Sequence, residues 1–303
     1  MDEVKSKSCA CKGCRTCIVC EGTNGRNVKN QADDLIKDLN EMEYLPSIKM
    51  CVSQLKPNGE FVGFSFPGVA VFPDFISENE EKDLVNAINS GQWKDSQSGR
   101  RKQDFGPKVN FKRQKVKLAS FTGLPKYSKC IDERIKTLKG LESFETVEQC
   151  NLEYDPNRGS SIDPHFDDEW LWGERLLSLN LLADSWFTMT TDDSTECQLS
   201  VIKTPDVQIS RTGVKQIKMD KDDIFHMNDF QVKIPLKRRS LVMLSGDARF
   251  KWKHSIQRQD IKSKRMCCTL RELSPEFQTG GKQEHLGRQL LDIASTFSGE
   301  VVL

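Results

Sequence analysis

The chain has 303 residues, of which 37% are hydrophobic, so it can bury a sizeable core in one large domain or two ordinary ones. Its net charge of +1 gives the chain no overall electrostatic attraction to nucleic acid or membranes. Binding to such a partner would therefore require a local patch of positive charge. No apolar run approaches the roughly 20 residues of a membrane span, and the N-terminus lacks the apolar core of a secretory signal, so we expect a protein of the cytoplasm and nucleus.

Residues 1–21 form a cysteine-rich segment. Five of the eleven cysteines lie in the string CACKGCRTCIVC, at positions Cys9, Cys11, Cys14, Cys17 and Cys20. In a reducing compartment such clusters bind metal more often than they form disulfides. The spacing is compatible with a zinc site and with an iron–sulfur cluster. The alternative interpretation is a disordered tail with reactive thiols.

Residues 22–64 read as a polar linker with one amphipathic helix around QADDLIKDLNEM. From residue 65 the pattern changes. The string FPGVAVFPDFISENEEKDLVNAINS predicts a short strand and then a helix through about Asn89, since Ser77 with Glu80 three places later forms a capping box. This element opens an N-terminal extension that we place at residues 65–147.

A basic run, SGRRKQDFGPKVNFKRQKVK, occupies residues 98–117 and carries a net charge of plus seven. Phe105 and Phe111 interleave with the basic residues, so the run could track phosphates while a ring stacks on a base. The alternatives are a solvated hairpin and a hairpin that docks an acidic protein, because charge runs usually form solvated faces. We interpret the run as a basic substrate-recognition lid.

Downstream of Glu148, short apolar runs are bounded by turn signals, which favours a β-sandwich or barrel over helices. The runs are VEQCNLEY, LLSLNLLA, CQLSVIK, QVKIPL, SLVMLS and MCCTLREL. Residues 148–275 therefore form the predicted β core. Residues 276–303 hold a closing helix and tail, since QEHLGRQLLDIASTF has apolar residues at helical spacing. The predicted fold class is α+β, mainly β.

His165 and Asp167 lie two residues apart in the string IDPHFD. On an extended chain they point to the same face and can bind one ion, although a chain this rich in carboxylates contains such a pair by chance at roughly even odds. His254, after the predicted strand SLVMLS, adds a second histidine. Two histidines and one carboxylate, with coordination positions left open, are the ligands of non-haem Fe(II) oxygenases. His226 is a rival third ligand, which we interpret as a surface histidine.

One large class of these oxygenases uses the dicarboxylate 2-oxoglutarate as reductant. Arg265 and Arg271, six apart in RMCCTLR, share one face of a predicted strand with Cys267 and Thr269. Guanidinium groups bind carboxylates with two parallel hydrogen bonds, and an inward-pointing arginine in a core strand is costly without an anionic partner. The alternative is that the arginine pair lies on an exposed face.

These residues resemble the AlkB family of Fe(II)- and 2-oxoglutarate-dependent dioxygenases, through HFD, the later His254 and the closing RMCCTLR. The resemblance covers roughly residues 65–275. The longer strings SQSGRRKQDFGPKVNFK, VEQCNLEYDPNRGSSIDPH and WLWGERLLSLNLL, with the cysteine-rich N-terminus, are similar to one animal branch of the family. The resemblance implies a double-stranded β-helix (jelly-roll) core.

The resemblance also implies roles for single residues. The iron ligands would be His165, Asp167 and His254. Arg265 would pair with the distal carboxylate of 2-oxoglutarate, Arg271 would lie near its metal-chelating end, and Tyr154 matches a family tyrosine that hydrogen-bonds this cosubstrate.

The chain departs from the family's founding members at two positions. They place an asparagine two residues before the tyrosine, where this chain has Leu152, with Asn151 one position further away. They also have an asparagine between the two arginines where Cys267 stands here. These differences put nucleobase-repair geometry in doubt.

Substrate contacts are expected from the basic run and from two tryptophans in DDEWLWGE, since aromatic rings offer stacking or cation–π contacts to a methylated base or cation. The residues are Arg100, Arg101, Lys102, Trp170 and Trp172. The two tryptophans are equally compatible with plain packing in a sandwich.

The resemblance implies oxidative removal of N-methyl groups, with release of formaldehyde, succinate and CO2. The animal branch is associated with demethylating a lysine of actin, in support of actomyosin function and cytokinesis, and with demethylating N6-methyladenine in DNA. Near-zero net charge and the missing asparagine favour the protein substrate, and the basic run favours DNA. We predict methyl-lysine demethylation, with N6-methyladenine in DNA as the alternative. A hypothesis of another class is a cytoskeletal or chromatin binding module with a weak or inactive iron site.

Overall fold

The apolar runs of the sequence become strands of two large sheets. A computed structural model describes residues 9–11, 17–24, 38–56, 60–118, 120–203, 217–218 and 223–301. In chain order the strands are β1 Asn40–Leu45, β2 Met50–Lys56, β3 Phe61–Ser65, β4 Val69–Phe72, β5 Lys94–Asp95, β6 Arg101–Phe105, β7 Lys108–Asn110, β8 Lys115–Lys117, β9 Glu148–Tyr154, β10 Ile162–His165, β11 Trp172–Leu181, β12 Ser185–Thr190, β13 Glu196–Cys197, β14 Ser200–Val201, β15 Ile217–Lys218, β16 Phe225–His226, β17 Phe230–Leu236, β18 Leu241–Leu244, β19 Lys253–Ile256 and β20 Arg265–Leu273.

Helices are few and mostly short. They are α1 Ile18–Asn24, α2 Glu78–Ser90, α3 Lys129–Ile135, α4 Gly246–Phe250 and α5 Glu284–Ala294. The predicted capping box is confirmed, because the Ser77 hydroxyl accepts from the Glu80 amide at 3.2 Å and the Glu80 carboxylate accepts from the Ser77 amide at 2.7 Å. The predicted closing helix is confirmed as α5, whose Leu290 is buried. Among the described residues no helix is long and apolar enough to cross a membrane.

The two sheets pack into a jelly roll. The larger sheet has the strand order β10-β19-β12-β17-β1-β2-β3-β14, with β15 beside β2, and the smaller has the order β4-β18-β11-β20-β9-β6-β5. One core cluster joins residues of both sheets, for example Phe187 and Val232 with Leu152 and Val242. The predicted mainly β fold with few helices is confirmed.

Alternation along the strands of the smaller sheet separates its two faces. On β20, Cys267 belongs to the core between the sheets, whereas Met266, Cys268 and Leu270 belong to a second cluster that α2 and α3 cover. The smaller sheet is therefore buried on both faces, which explains why its strands read as continuous apolar runs.

The structure differs from the predicted linker at residues 22–64. Strands β1, β2 and β3 lie in the larger sheet, where β1 pairs in parallel with β17 and antiparallel with β2. Buried Met42 and Tyr44 hold β1 against the core. The predicted helix around QADDLIKDLNEM lies largely outside the described residues, and its last part is the start of β1. Charged side chains surround these apolar positions, so the sequence pattern did not predict strands here.

Candidate active site

Strands β10 and β19 bring the two predicted histidines together. His165 ends β10 and is the register partner of His254 on β19, with ring centroids 4.3 Å apart. Asp167 follows β10, and its Oδ1 lies 3.7 Å from His165 Nε2. One ligand atom from each of the three residues lies within 4.8 Å of the others. The three predicted ligands therefore converge on one point.

The orientation of His165 suits a metal ligand. Its Nδ1 lies 2.8 Å from the carbonyl oxygen of Asp163. A carbonyl only accepts, so Nδ1 carries the proton and Nε2 presents its lone pair toward Asp167 and His254. Metal-binding histidines commonly have such a backbone acceptor, which fixes the tautomer and the ring plane.

Burial sets the protonation of the three side chains. Burial, with His165 nearby, lowers the pKa of His254 to about 3, and burial also lowers the pKa of His165. Burial alone would raise the pKa of Asp167, but the Arg271 guanidinium and the neighbouring histidines hold it well below its usual range. At neutral pH the site thus offers two neutral imidazoles and one carboxylate, the forms that bind a divalent cation.

Arg265 lies fully buried beside this triad. Its Nε donates to Asn180 Oδ1 at 2.5 Å, and its Cζ lies 5.0 Å from the centre of the Tyr154 ring. Among the described residues, neither Nη1 nor Nη2 has a hydrogen-bond partner. A buried guanidinium with two unused nitrogens is costly, and a carboxylate would satisfy both.

Comparison with known proteins decides the family. The chain is 42% identical to alpha-ketoglutarate-dependent dioxygenase alkB homolog 4 of Mus musculus over 98% of this chain and 97% of that protein. It is also 42% identical to the Homo sapiens protein of the same name, over 98% of this chain and 96% of the relative. The chain belongs to the AlkB family. A DNA N6-methyl adenine demethylase of Caenorhabditis elegans is 29% identical over 95% of both chains. No family model matches the chain.

Membership of the AlkB family makes the chain a 2-oxoglutarate-dependent dioxygenase, with Fe(II) and 2-oxoglutarate as its cofactors. The residues present fit both groups. His165, Asp167 and His254 form the donor set of a non-haem Fe(II) centre, and the unpaired Arg265 nitrogens fit the distal carboxylate of 2-oxoglutarate. When bound, the iron would supply the activation of O2 toward an N-methyl carbon. The residues of the protein would bind and orient the cosubstrate and the substrate, and would exclude water.

Arg271 connects the metal site to the neighbouring strand. Its Nε donates to Asp167 Oδ2 at 2.8 Å and its Nη1 donates to Glu148 Oε2 at 2.6 Å. The guanidinium thereby holds the Asp167 carboxylate in place while leaving Oδ1 directed at His165. In this structure Arg271 orients a metal ligand, in addition to the expected position near the chelating end of the cosubstrate.

The cavity around the triad and Arg265, called here the cosubstrate cavity, is lined mainly by apolar side chains. Leu152, Tyr154, Ile162, Phe187 and Cys267 contribute to its walls. Leu152 and Cys267 stand where founding AlkB members have asparagines, so this cavity has two fewer polar groups. Asn151 is no substitute, because strand alternation turns it to the other face.

That other face holds a separate polar cluster. Asn151 Nδ2 donates to Gln103 Oε1 at 2.9 Å and to the Tyr127 hydroxyl at 2.7 Å. Both partners lie beneath α2 and α3, away from the cavity, so Asn151 stabilises the packing of the helices on the sheet.

The five residues expected at the substrate occupy different environments. Arg100 is buried with its Cζ 6.0 Å over the Tyr154 ring, and Arg101 makes two hydrogen bonds of 2.7 Å with Glu153. Lys102 pairs with Asp104 at 2.7 Å. Part of the basic run is therefore neutralised within the protein.

The two predicted substrate tryptophans, Trp170 and Trp172, also lie in different environments. Trp170 packs edge-on against Phe277, with ring centroids 5.1 Å apart. Trp172 lies between Phe111 of the basic run, at 6.4 Å, and the Arg271 guanidinium, at 5.8 Å. Of the two, Trp172 is the one that borders the active site.

Four of the five predicted cysteines converge at the N-terminus. The sulfur atoms of Cys9, Cys11, Cys17 and Cys20 all lie within 4.8 Å of one another, and Cys14 lies outside the described residues. His226 lies on β16, and its Nδ1 is 3.7 Å from Asp229 Oδ2, outside the His165–Asp167–His254 triad.

Sequence reasoning missed three residues that shape the site. Asn180 holds Arg265, and Glu148 holds Arg271. Arg249 is buried on α4 and donates to the carbonyl oxygens of Asp167 at 3.0 Å and Asp168 at 3.1 Å. A strand register that faces Glu148 with Arg271 could have indicated the second contact, but the sequence holds no signal for Arg249.

Proposed function

We propose that the protein removes N-methyl groups from lysine side chains of a protein substrate, with actin as that substrate. The observation that carries this proposal is a recess beside the iron site that combines aromatic rings with two carboxylates. Its lining includes Phe111, Trp172, Asp104 and Glu148. A methylated ammonium is attracted both to the faces of aromatic rings and to carboxylates.

The recess lies next to the metal site, and Arg271 stands between them. Trp172 contacts Arg271, and Arg271 bonds both Glu148 in the recess and Asp167 in the triad. Gly106 lets the basic hairpin approach Glu148 closely, since a Cβ at position 106 would lie 2.6 Å from Glu148 Cγ. A methyl-lysine side chain that enters the recess beside Phe111 and Trp172 would therefore lie next to Arg271, which bonds the predicted metal ligand Asp167.

The charge of Glu148 depends on its surroundings. Burial raises its pKa, and the Arg271 guanidinium opposes that shift. A cationic substrate beside Glu148 adds a second positive neighbour and favours the carboxylate further, whereas a neutral base does not. We therefore expect the recess to favour a methylammonium over a methylated adenine, even though its two carboxylates also pair with Lys102 and Arg271.

A second candidate substrate is N6-methyladenine in DNA. Three lysines on the rim of the recess, Lys94, Lys102 and Lys108, favour it because they can contact phosphates. The Caenorhabditis elegans relative named as a DNA N6-methyl adenine demethylase supports the same reading.

Two single substitutions separate the candidates. Asp104→Asn removes a carboxylate at the recess, and we expect the KM for a monomethyl-lysine actin peptide to rise about fivefold, corresponding to about 1 kcal/mol, with no loss on DNA. Lys108→Ala is the matched control. It should weaken the binding of a methylated oligonucleotide and leave the KM for the peptide unchanged. The opposite pattern in formaldehyde release would assign the DNA substrate instead.

The proposal includes the biological setting. Actin demethylation would support actomyosin function and cytokinesis, in the cytoplasm and nucleus, and chromatin partners would accompany the DNA activity. It also includes a second metal at the cysteine cluster, as zinc or an iron–sulfur cluster. The competing hypothesis of a binding module predicts that His165→Ala fully complements a null cell, and our proposal predicts that it does not.

A further inference from the structure

The geometry of the cysteine cluster distinguishes between the two metal centres. Cys17 Sγ and Cys20 Sγ lie 3.8 Å apart, and all four sulfurs lie within 4.8 Å of one another. Four thiolates at about 2.3 Å from one tetrahedral ion are separated by about 3.8 Å. The four ligands of an iron–sulfur cluster are divided among two or four irons, and ligands of different irons stand further apart because the cluster lies between them. The sulfur spacing therefore fits one ion.

Hydrogen bonding at the cluster points the same way. The Cys17 amide donates to Cys20 Sγ at 3.1 Å, at the start of α1. Backbone amides that donate to sulfur are typical supports of metal-bound thiolates, since they orient the ligand and stabilise its charge. No disulfide joins any two of these four cysteines, so a disulfide does not account for their convergence.

The cluster docks on two turns of the jelly roll. Gly99 has a φ of +71°, and a Cβ there would lie 2.4 Å from the Arg158 carbonyl oxygen and 3.3 Å from Cys17 Cβ. Gly159 has a φ of +62°, and a Cβ there would lie 2.8 Å from Ile18 Cγ1. Both glycines allow the cysteine segment to approach closely. Two hydrogen bonds from Arg258 to Glu21, at 3.1 and 2.9 Å, fix the other side of α1.

These turns lie close to Tyr154, which lines the cosubstrate cavity. The Gly99 carbonyl accepts from Arg158 Nε and from Ser160 Oγ, both at 2.7 Å. The next residue, Arg100, extends its guanidinium over the Tyr154 ring, which in turn lies under Arg265. One continuous set of contacts therefore runs from the cysteines to the residue that receives the cosubstrate carboxylate.

We propose that Cys9, Cys11, Cys17 and Cys20 bind a single zinc ion that clamps the N-terminal segment onto these turns and positions Arg100 and Tyr154 for 2-oxoglutarate binding. The zinc site stands on the sulfur geometry and on the hydrogen bond to Cys20, whereas its effect on the cosubstrate rests on the dioxygenase function. Arg100 acts as a positioning residue for Tyr154 and, through it, for Arg265.

The first test measures metal content in the full chain by elemental mass spectrometry. Wild type and Cys130→Ser, a control at an exposed cysteine, should retain one zinc ion per chain, and the Cys17→Ser/Cys20→Ser double variant should retain none. Replacing zinc by Co(II) should give the intense absorption of a tetrahedral thiolate site in the first two proteins only. Iron with acid-labile sulfide, or a wild-type chain that binds no metal at the cysteines, would overturn the zinc site.

The second test measures 2-oxoglutarate binding by calorimetry. Wild-type protein stripped of metal is resupplied with Mn(II) at the triad, with or without one equivalent of Zn(II). We expect the dissociation constant for 2-oxoglutarate to rise about fivefold without zinc and to recover when zinc is returned, which excludes misfolding as the cause. Equal affinity under both conditions would overturn the clamp. Failure of 2-oxoglutarate to bind under either condition would count against the dioxygenase function, and the zinc count would still decide the zinc site.

Discussion

Replacing Arg265 by methionine should stabilise the cosubstrate-free protein while abolishing 2-oxoglutarate binding. The guanidinium is fully buried, and among the described residues only its Nε has a hydrogen-bond partner, Asn180. Effective desolvation of a buried charge costs several kcal/mol, and exchanging buried ionic groups for apolar residues of similar volume often stabilises a protein. The fold therefore tolerates Arg265 for the sake of a ligand.

The substitution also has a cost. Asn180 Oδ1 loses its donor, which costs about 1–3 kcal/mol, although Asn180 Nδ2 keeps its bonds to the carbonyl oxygens of Ala183 and Leu236. Set against the relief of the buried charge, we expect a net gain of about 2 kcal/mol. In a protein of this size that corresponds to a rise of roughly 4 °C in Tm.

Thermal unfolding with and without ligand measures both effects. In wild type loaded with Mn(II), 2-oxoglutarate at 100 times its dissociation constant should add about 2.7 kcal/mol of stability. Arg265→Met should begin from a higher Tm and show no ligand shift. A lower starting Tm, or a ligand shift equal to that of wild type, would refute the assignment of Arg265 as the cosubstrate anchor.

Three further predictions follow from single contacts. Asp167→Asn should abolish Mn(II) binding, measured by electron paramagnetic resonance, with an unchanged circular dichroism spectrum, because the amide oxygen still accepts from Arg271; retained binding would place the metal elsewhere. Asp260→Ala should lower the free energy of unfolding in urea by about 3–5 kcal/mol, since it leaves the fully buried Lys233 ammonium without its carboxylate 3.0 Å away; a loss below 1 kcal/mol would contradict this. Hydrogen bonds from Arg134 and Ser77 lower the pKa of Glu80 from 4.5 to about 2, so the stabilising effect of Glu80 is present above pH 4.5 and lost as the pH falls through 2. The difference in unfolding free energy between wild type and Glu80→Gln should therefore shrink over that pH range. A pH-independent difference would exclude this role for Glu80.

Local patterns in the sequence predicted much of the fold. The capping box at Ser77 fixed the start of α2, and the apolar runs after Glu148 became strands β9, β11, β17, β18 and β20. Strands β1 to β3 escaped prediction because charged side chains surround their apolar positions, although β2 pairs locally with both β1 and β3. Strand β1 lies in parallel beside β17, and nothing in a polar stretch such as NEMEYL indicates that partner.

The residues of the candidate active site were likewise predictable only in part. His165 and Asp167 were predictable because they are close in sequence, and strand alternation placed Arg265 and Arg271 on one face. Asn180 and Arg249 were not predictable, since each contacts the site through tertiary packing from an element with no motif of its own. The separation of Trp170 from Trp172 likewise depends on where β11 begins.

The most direct measurement is formaldehyde and succinate release by protein purified without oxygen and supplied with Fe(II), 2-oxoglutarate and O2. A monomethyl-lysine actin peptide is compared with N6-methyladenine DNA, with Arg265→Ala as control. We expect equal amounts of formaldehyde and succinate from the peptide, both lost in Arg265→Ala. Formaldehyde from the DNA alone, or no product from wild type with either substrate, would contradict the proposal that this protein demethylates lysine.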